Sequence, residues 1–359
     1  MSLSQLEVLG FRNIQQAVVV PSPGVNGFFG SNGSGKTSLL ESIYLLGNFR
    51  SFRAQNVSTV ISRDAEFVLV RGTMFSGDQL AVQRFRDKKS QLRLNQEPVV
   101  RSSTLAEFLP TIIFDPTTIQ LLLGEPDRRR RFLNWGLFHV KPQFAQYWRD
   151  YSRALKQRNE LLRSGQSSPS LLEWTRVLAE LSFVIDDLRQ GYVSQLQVEF
   201  LKIVDQMGGL RGLRFEYNRG WAQEADLESV LATELSGDLA RGYSQKGVHR
   251  SDLKITVEGR SIAEHCSRGE AKLLAWALCL AQLSCLPIAI REKTILLIDD
   301  LSSEIDPDHG ELISRTLVQW GLQIFTTGTE RGAMERLWGE KLNGMFHVKQ
   351  GIIEAIGGY

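Results

Sequence analysis

The chain is poor in cysteine and histidine, and neither residue is arranged to hold a metal. Its 359 residues include Cys266, Cys279 and Cys285, an odd number without a CxxC spacing, and five scattered histidines. This usage argues against a disulfide framework and against a zinc site. It is typical of a reducing compartment, and we expect a cytoplasmic protein.

Long apolar runs that could cross a bilayer are also scarce. The stretch from Leu273 to Ile290 carries no charge over about the length that spans a membrane, but Gln282, Ser284 and Pro287 interrupt it. A helix that is apolar on all sides is typical of a protein core. We therefore predict a buried core helix here and no membrane association.

A strong excess of one charge sign is absent, because the formal net charge is only +2. The chain is therefore not a polycation that binds nucleic acid through total charge alone. Its positive residues are mostly arginine, 30 against 12 lysines. Arginine suits bidentate recognition of phosphate, so the bias fits a phosphate-bearing partner, and it fits a compositional bias equally well.

The hydrophobic patterns predict an α/β fold with a helical insertion. Short strands are expected at 3–9, 17–20, 25–29, 67–70, 80–85, 91–94, 253–257 and 294–298, and helices at 38–46, 143–163, 171–207 and 271–286. The two long helices flank a break at 164–170, which predicts an antiparallel hairpin arm. We interpret the chain as one nucleotide-binding head, built from both chain ends, with this arm inserted.

A glycine-rich segment matches the phosphate-binding loop at every fixed position. It consists of Gly30, Ser31, Asn32, Gly33, Ser34, Gly35, Lys36 and Thr37. A predicted strand precedes it and a predicted helix follows it, which is the context the motif requires. We expect Lys36 to contact the β- and γ-phosphates of ATP and Thr37 to bind Mg²⁺.

An apolar run that ends in two carboxylates is the second motif. Residues 295–298 are followed by Asp299 and Asp300. A buried parallel strand has this pattern, and ligands bind at the carboxyl ends of such strands. We predict that Asp299 contacts Mg²⁺ and that Asp300 orients or deprotonates the attacking water.

A third motif precedes the apolar helix. Ser267, Arg268, Gly269 and Glu270 have the spacing of a capping box, in which serine and glutamate satisfy the helix start. The same geometry also makes an anion site. Offered by a second subunit to the γ-phosphate, it would join two copies through ATP. The two interpretations are compatible.

In this order, together with Ser302–Asp306 (SSEID), the motifs resemble the RecF family of the SMC/ABC-type ATPase superfamily. The resemblance covers nearly the whole chain. Further matches are Phe11–Asn13 (FRN), Phe49–Arg53 (FRSFR), Gly124–Phe132 and Gly247–Leu253 (GVHRSDL).

The resemblance implies an ABC/SMC-type P-loop ATPase head with a β-rich layer and an inserted helical arm domain. We place the head in residues 1–110 and 231–359 and the arm in residues 111–230. It implies an ATP-dependent homodimer in which Lys36, Thr37 and Asp299 act in cis and Ser267, Arg268 and Gly269 in trans. Arg12 and Asn13 would contact the nucleotide, and Ser303–Asp306 would cross the interface.

The resemblance further implies a function in DNA repair, recombination and replication. The family binds DNA near single-strand gaps and acts with RecR and RecO to load RecA. ATP hydrolysis would be slow and DNA-stimulated, and would reset a clamp on DNA.

Three departures from the family pattern stand in the sequence. Glu270 replaces the usual glutamine and adds a negative charge near the proposed γ-phosphate site. Residues 114–118 (FDPTT) lack the acidic residues usual after the proline. The strand that ends in Phe325–Gly328 (FTTG) has no histidine of the kind that senses a γ-phosphate, and we assign no switch residue there.

Arginines supply the candidate DNA contacts. Arg128, Arg129, Arg130 and Arg131 form a run at a predicted helix start, where their charge is unfavourable unless an anion is near. We add Arg50 and Arg53, and on the arm Arg149, Arg153, Arg158 and Arg163. Contacts to phosphate would make binding salt-sensitive and independent of sequence.

Two other functions compete with a DNA clamp. The ATPase subunit of a membrane transporter is disfavoured by the long separation of Lys36 from Ser267 and by the arginine-rich arm. A large SMC-type structural protein is disfavoured because the predicted arm is too short for an extended coiled coil.

Overall fold

The computed structural model describes residues 2–165 and 168–356. The chain divides into two compact units. Residues 1–118 and 287–359 form one, here called the terminal unit, and residues 119–286 form the other, here called the inserted unit. These boundaries differ from the predicted ones, which assigned residues 231–286 to the head. They fold within the inserted unit, where the helix at 268–284 packs against the longest helix.

The described residues form strands and helices in nearly equal number. The strands are β1 Leu3–Phe11, β2 Ile14–Val19, β3 Val25–Phe29, β4 Phe67–Met74, β5 Gln79–Phe85, β6 Ser90–Leu94, β7 Glu97–Pro98, β8 Thr111–Phe114, β9 Leu213–Asn218, β10 Asp252–Val257, β11 Arg260–Ser261, β12 Ile295–Ile298, β13 Gln323–Gly328, β14 Leu342–Lys349 and β15 Ile352–Ala355. The helices are α1 Lys36–Asn48, α2 Ser102–Phe108, α3 Gln120–Leu123, α4 Pro126–Val140, α5 Phe144–Arg163, α6 Pro169–Gln206, α7 Leu227–Thr233, α8 Leu235–Arg241, α9 Ile262–His265, α10 Arg268–Ser284, α11 Ile288–Arg291, α12 Leu301–Glu304, α13 Pro307–Gln319 and α14 Arg331–Trp338.

A largely parallel sheet organises the terminal unit, in the order β15-β14-β3-β13-β12-β8. Strand β15 is the antiparallel edge, and the other five run parallel. All four residues of β12 are buried, as expected for a strand covered on both faces. The order brings the carboxyl ends of β3, β13 and β12 to one edge of the sheet, where ligands bind in folds of this kind.

An antiparallel sheet of six strands, β2-β1-β4-β5-β6-β7, completes the terminal unit. Its strand β4 alternates buried and more exposed positions, which is typical of a sheet with one face on the core. Helix α1 contributes fully buried Leu39, Leu40 and Ile43 to the same core as β1 and β4. This packing fixes the helix that follows the glycine-rich loop.

The inserted unit contains the predicted hairpin. Helices α5 and α6 are neighbours, and their bounds confirm the predictions at 143–163 and 171–207 within two residues. Of the predicted break at 164–170, residues 166 and 167 lie outside the described residues. At 1.5 Å per residue, α6 is about 57 Å long.

The apolar stretch at 273–290 belongs to a core helix for most of its length, as predicted. Helix α10 ends at Ser284, and its buried residues include Leu274, Trp276 and Leu280. Within the described part of the chain, no helix combines the length and apolar character needed to cross a membrane.

Several strands were missed in the sequence. Strand β8 follows Pro110 and was grouped with the arm, but it pairs with β12 in the terminal unit. Strand β13, taken as the last one, is followed by β14 and β15. Strands β8 and β15 have four residues each, too few for hydrophobic periodicity alone to identify them. Strand β14 has eight residues and was nevertheless missed.

Candidate functional site

The glycine-rich loop joins β3 to α1 in the terminal unit. Gly33 and Gly35 have φ of 78° and 120°, values that disfavour any side chain, and Gly35 caps α1. The Asn13 side chain donates to the carbonyls of Gly33 and Ser34 at 3.3 and 3.2 Å. The turn that carries Asn13 therefore supports the loop, and the backbone is shaped to point N–H groups at an anion.

The ammonium group of Lys36 is enclosed by this loop. Its Nζ donates to the carbonyls of Gly30 and Ser31 at 2.7 and 3.0 Å. Burial lowers the pKa of Lys36, while the charges of Asp300 and then Asp299 oppose that shift. The two carboxylates predicted to act with Lys36 therefore lie close enough to interact with it.

Thr37, Asp299 and Thr327 form a cluster of oxygen atoms beside the loop. The Thr37 hydroxyl lies 3.1 Å from each carboxylate oxygen of Asp299. The Thr327 hydroxyl donates to Asp299 Oδ1 at 2.6 Å and accepts from the backbone N–H of Asp300 at 3.1 Å. Sequence reasoning missed Thr327, although a hydroxyl at the carboxyl end of a strand in a parallel sheet was a signal for it.

This cluster fits Mg²⁺. Hydroxyl and carboxylate oxygens are hard ligands, and Mg²⁺ is usually held by one or two carboxylates together with substrate phosphates and water. The described residues contain no group of three or more His, Cys, Asp and Glu side chains placed to hold a metal by themselves. Thr37 and Asp299 are the residues that would hold the ion.

Asp300 begins the short helix α12 in a left-handed conformation, with φ of 59°. Such a φ is uncommon outside glycine, although aspartate adopts it more readily than most residues, and strained positions of this kind cluster at functional sites. In the segment that follows, Ser303 and Asp306 are exposed, and Asp306 caps α13 by accepting from the His309 N–H. The predicted interface segment 303–306 is therefore at the surface at both ends.

A buried carboxylate organises the wall of the cleft beside the loop. Glu41 of α1 is fully buried and accepts from Arg12 Nε and Nη2 at 2.9 and 2.7 Å. Ser51 donates to the same carboxylate, and Arg53 Nη1 lies 3.8 Å from it. The sequence analysis missed Glu41 and Ser51. A lone carboxylate in the apolar helix α1 was the available signal.

The cleft has a volume of about 630 Å³ and lies wholly in the terminal unit. Its lining includes Arg12, Asn13, Gly33, Thr37 and Arg53. The structure thus brings the first turn, the glycine-rich loop and the segment after α1 to one space. That space is large enough for a nucleotide.

In the inserted unit, residues 267–270 start α10 as a capping box. Glu270 accepts from the backbone N–H and the hydroxyl of Ser267 at 2.8 and 2.7 Å. These hydrogen bonds lower the pKa of Glu270. Ser267, Arg268, Gly269 and Glu270 are all exposed, so the cap also presents its polar groups at the surface.

The arginines proposed as DNA contacts differ in their surroundings. Arg50, Arg53, Arg128 and Arg131 are exposed. Arg129 is buried and forms two hydrogen bonds with Asp252, at 2.7 and 3.0 Å. Arg130 donates to the Ser251 carbonyl at 3.0 Å. Two members of the run thus hold the segment at 251–252.

The arm arginines require one correction. Arg149, Arg153 and Arg163 are exposed, but Arg158 is fully buried and bonds to Asp238 at 2.8 Å. It does not belong to a basic surface. Helical spacing alone groups Arg158 with the other arginines. It is buried because it pairs with Asp238, 80 residues later in the chain.

Comparisons with known proteins match the full length of the chain. The family model described as RecF/RecN/SMC N-terminal domain matches residues 2–354. The chain is 37% identical to the DNA replication and repair protein RecF of Shewanella baltica (strain OS223), over 99% of this chain and 100% of that protein. It is 40% identical to the protein of the same name in Stutzerimonas stutzeri (strain A1501), over 100% and 98%.

Solved structures have the same fold. The recombination mediator protein RecF-ATP in the RecFOR pathway aligns with a TM-score of 0.88 at 26% identity, over 99% of this chain and 98% of that chain. The Smc head domain with an extended coiled coil from Pyrococcus furiosus aligns at 0.57 and 15% identity, over 99% and 96%. The second likeness concerns the fold alone.

Proposed function

The chain belongs to the RecF/RecN/SMC N-terminal domain family, and from this premise we propose an ATP-dependent DNA-binding protein of replication and recombinational repair. The observation that carries the proposal is the hydrogen-bonded contact of Thr37 with Asp299 beside the loop that encloses Lys36. It supports the proposal because these are the groups that would hold a magnesium–triphosphate complex. A structural relative is a RecF–ATP structure, and membership of the family implies ATP hydrolysis.

In this proposal each site residue of the terminal unit has a separate role. Lys36 exchanges its two loop carbonyls for phosphate oxygens, which are stronger partners because they are charged. The backbone N–H groups of residues 30–37 surround the phosphates. Thr37 and Asp299 would hold Mg²⁺, whose charge would offset that of the phosphates. Asp300 orients the attacking water, and Arg12 and Asn13 line the nucleotide cleft.

The inserted unit provides the second half of the site from another copy. Ser267, Arg268 and Gly269 are exposed at the start of α10, where N–H groups and the positive end of the helix favour an anion. A γ-phosphate held by Lys36 of one copy would be contacted by Ser267 of the other. ATP would thereby favour a homodimer, and slow hydrolysis would release it.

DNA is the proposed cargo of this dimer. The exposed Arg50, Arg53, Arg128 and Arg131 would contact phosphates, and the buried Arg129 would position its neighbours. The names of the structural relatives place them in the RecFOR pathway. We propose that this chain likewise acts in the cytoplasm with RecR and RecO, near single-strand gaps, in loading RecA.

The decisive experiment measures mass in solution with ATP, with ADP and without nucleotide, by light scattering after gel filtration. We expect a dimer only with ATP. Lys36→Ala should remain monomeric because it loses charge-assisted bonds to the phosphates. A wild-type chain that stays monomeric at saturating ATP would contradict the clamp. DNA affinity measured with and without ATP across a salt series then tests the cargo.

A further inference from the structure

An exposed arginine lies over an exposed tyrosine in the inserted unit. Tyr243 is 42% exposed, and the guanidinium carbon of Arg250 lies 5.3 Å from the centre of its ring. Arg250 is also exposed, within the GVHRSDL motif to which no role has been given so far. In proteins that bind single-stranded nucleic acid, arginine side chains contact the phosphates and aromatic rings stack on the unpaired bases.

The backbone beneath Tyr243 is held by buried polar groups. Ser244 is buried, donates to Asn159 Oδ1 at 2.9 Å and accepts from Arg158 Nη1 at 2.6 Å. Arg158 is fully buried and forms an ion pair with Asp238. The position of Tyr243 is therefore fixed by a network in the core, although its own ring faces solvent.

The backbone on both sides of Arg250 is fixed in the same manner. Arg189 Nη1 donates to the Val248 carbonyl at 2.6 Å and to the Ser251 hydroxyl at 2.7 Å. Arg130 Nη1 donates to the Ser251 carbonyl at 3.0 Å. Because these bonds are already formed, little backbone entropy remains to be lost when Arg250 binds a ligand.

His249 links the two segments to each other. Its Nε2 lies 3.0 Å from the Ser244 carbonyl and its Nδ1 2.6 Å from the Tyr151 hydroxyl. Burial lowers the pKa of His249 to about 4, so the ring is neutral near pH 7. A carbonyl only accepts, so Nε2 carries the proton and Nδ1 accepts from Tyr151. This bridge holds Tyr243 and Arg250 in one arrangement.

The charges around Arg250 favour an anion. Arg189 is fully buried and donates to neutral acceptors, among them Asn134 Oδ1. None of these acceptors neutralises its positive charge. Burial lowers the pKa of Arg130; the charges of Asp127 and Asp252 oppose this shift, and those of Arg189 and Arg250 add to it. The nearby Asp252 is already paired with Arg129. A buried cation in a poorly polarisable interior strengthens the positive potential outside.

We propose that Tyr243 and Arg250 form a contact site for single-stranded DNA, in which Arg250 binds a backbone phosphate and the Tyr243–Arg250 stack receives an unpaired base. This inference rests on the proposed function and adds to it a site outside the arginines already considered. Single-stranded DNA is favoured over duplex because only an unpaired base offers its face to a protein ring or guanidinium plane.

The test uses the full-length chain and a fluorescent oligothymidylate, with a duplex of the same length, in anisotropy titrations across a salt series. Tyr243→Ala should weaken binding of the single strand about five-fold or more and leave duplex binding little changed. Arg250→Ala should weaken binding of the single strand and reduce the magnitude of its salt slope by about 0.7, the value for one phosphate.

Matched controls separate this site from a general loss of charge or structure. Tyr243→Phe keeps the ring and should bind like wild type. Arg176→Ala removes an exposed arginine of the same unit that pairs with Glu180, and should also bind like wild type. Wild-type affinity in both Tyr243→Ala and Arg250→Ala would overturn the inference, as would a loss confined to duplex. A wild-type chain that binds no DNA would instead refute the proposed function.

Discussion

The hydroxyl of Thr327 donates a 2.6 Å hydrogen bond to Asp299 Oδ1, and so joins the carboxyl ends of two neighbouring strands. Strands β13 and β12 run parallel, with Thr326 beside Ile298, so Thr327 and Asp299 both follow the last paired position. The same hydroxyl accepts from the Asp300 N–H. One threonine therefore orients the carboxylate of Asp299 and fixes the backbone of Asp300, the two acidic residues that the proposed reaction requires.

Replacing Thr327 should impair hydrolysis more than nucleotide binding. Thr327→Val preserves shape but removes the hydrogen bonds to Asp299 and Asp300. We expect a fall in kcat of about ten-fold, since roughly 1–2 kcal/mol of positioning is lost, with ATP affinity changed less than two-fold. Steady-state ATPase assays at varied Mg²⁺ measure both. Thr326→Val, the buried neighbour in the same strand, is the control, and equal effects of the two variants would contradict the assignment.

The buried carboxylate of Glu41 should be important for both stability and the nucleotide cleft. Glu41→Gln removes the charge that holds Arg12 and Arg53. Because the buried Glu41 loses its charge-assisted hydrogen bonds with the partly exposed Arg12, we expect a loss of about 2 kcal/mol in the free energy of unfolding and weaker ATP binding. Denaturant unfolding and a fluorescent ATP analogue measure the two effects.

The control for Glu41 is an exposed ion pair of the same unit. Glu7→Gln removes the partner of Arg71, and exposed pairs contribute at most about 1 kcal/mol. If Glu41→Gln were no more destabilising than Glu7→Gln, the role of the buried carboxylate would be refuted.

Glu270 offers a test of the helix start as an interface. Glu270→Gln retains an acceptor for Ser267 but removes the negative charge near the proposed γ-phosphate. We expect ATP-dependent dimerisation to become tighter, by a few-fold, and the monomer to become slightly less stable, because the charge of Glu270 favours the start of the helix. Ser267→Ala should instead destabilise the monomer by about 1 kcal/mol through loss of the cap and also weaken the dimer. Sedimentation equilibrium with ATP distinguishes these outcomes, and weaker association of Glu270→Gln would argue against trans binding.

His249 should make the stability of the chain depend on pH. Its pKa is about 4 in the folded chain against 6.5 ordinarily, chiefly because of burial; the hydrogen bond to the Ser244 carbonyl opposes this shift, Arg250 and Arg130 add to it, and Asp238 opposes it. Between these values the unfolded chain binds a proton that the folded chain does not. The stabilisation is complete above pH 6.5 and declines as pH falls towards 4, by at most about 3 kcal/mol.

Urea unfolding at a series of pH values measures this decline. His249→Gln retains a donor for the Ser244 carbonyl and should flatten the curve between pH 6.5 and 4. The exposed His265→Gln serves as the control and should leave the wild-type slope unchanged. An identical slope in all three proteins would show that His249 does not titrate in this manner.

The sequence by itself determined the parts of the molecule that depend on neighbours along the chain. Residues 30–37, the apolar strand before Asp299 and the capping box at Ser267 and Glu270 are contiguous segments, whose local backbone and hydrogen bonds follow from residue type. The helices of the hairpin were likewise identified from periodicity, because long repeats give a strong signal.

Only the tertiary structure decided which distant side chains meet. Thr327 reaches Asp299 because two strands lie side by side, and Glu41 gathers Arg12 and Arg53 because α1 packs beside the first turn. Arg129 and Arg158 were expected at the surface, yet Asp252 and Asp238, 123 and 80 residues away, draw them inward. A guanidinium is buried only where an opposite charge compensates its lost hydration, and that partner is invisible until the chain has folded.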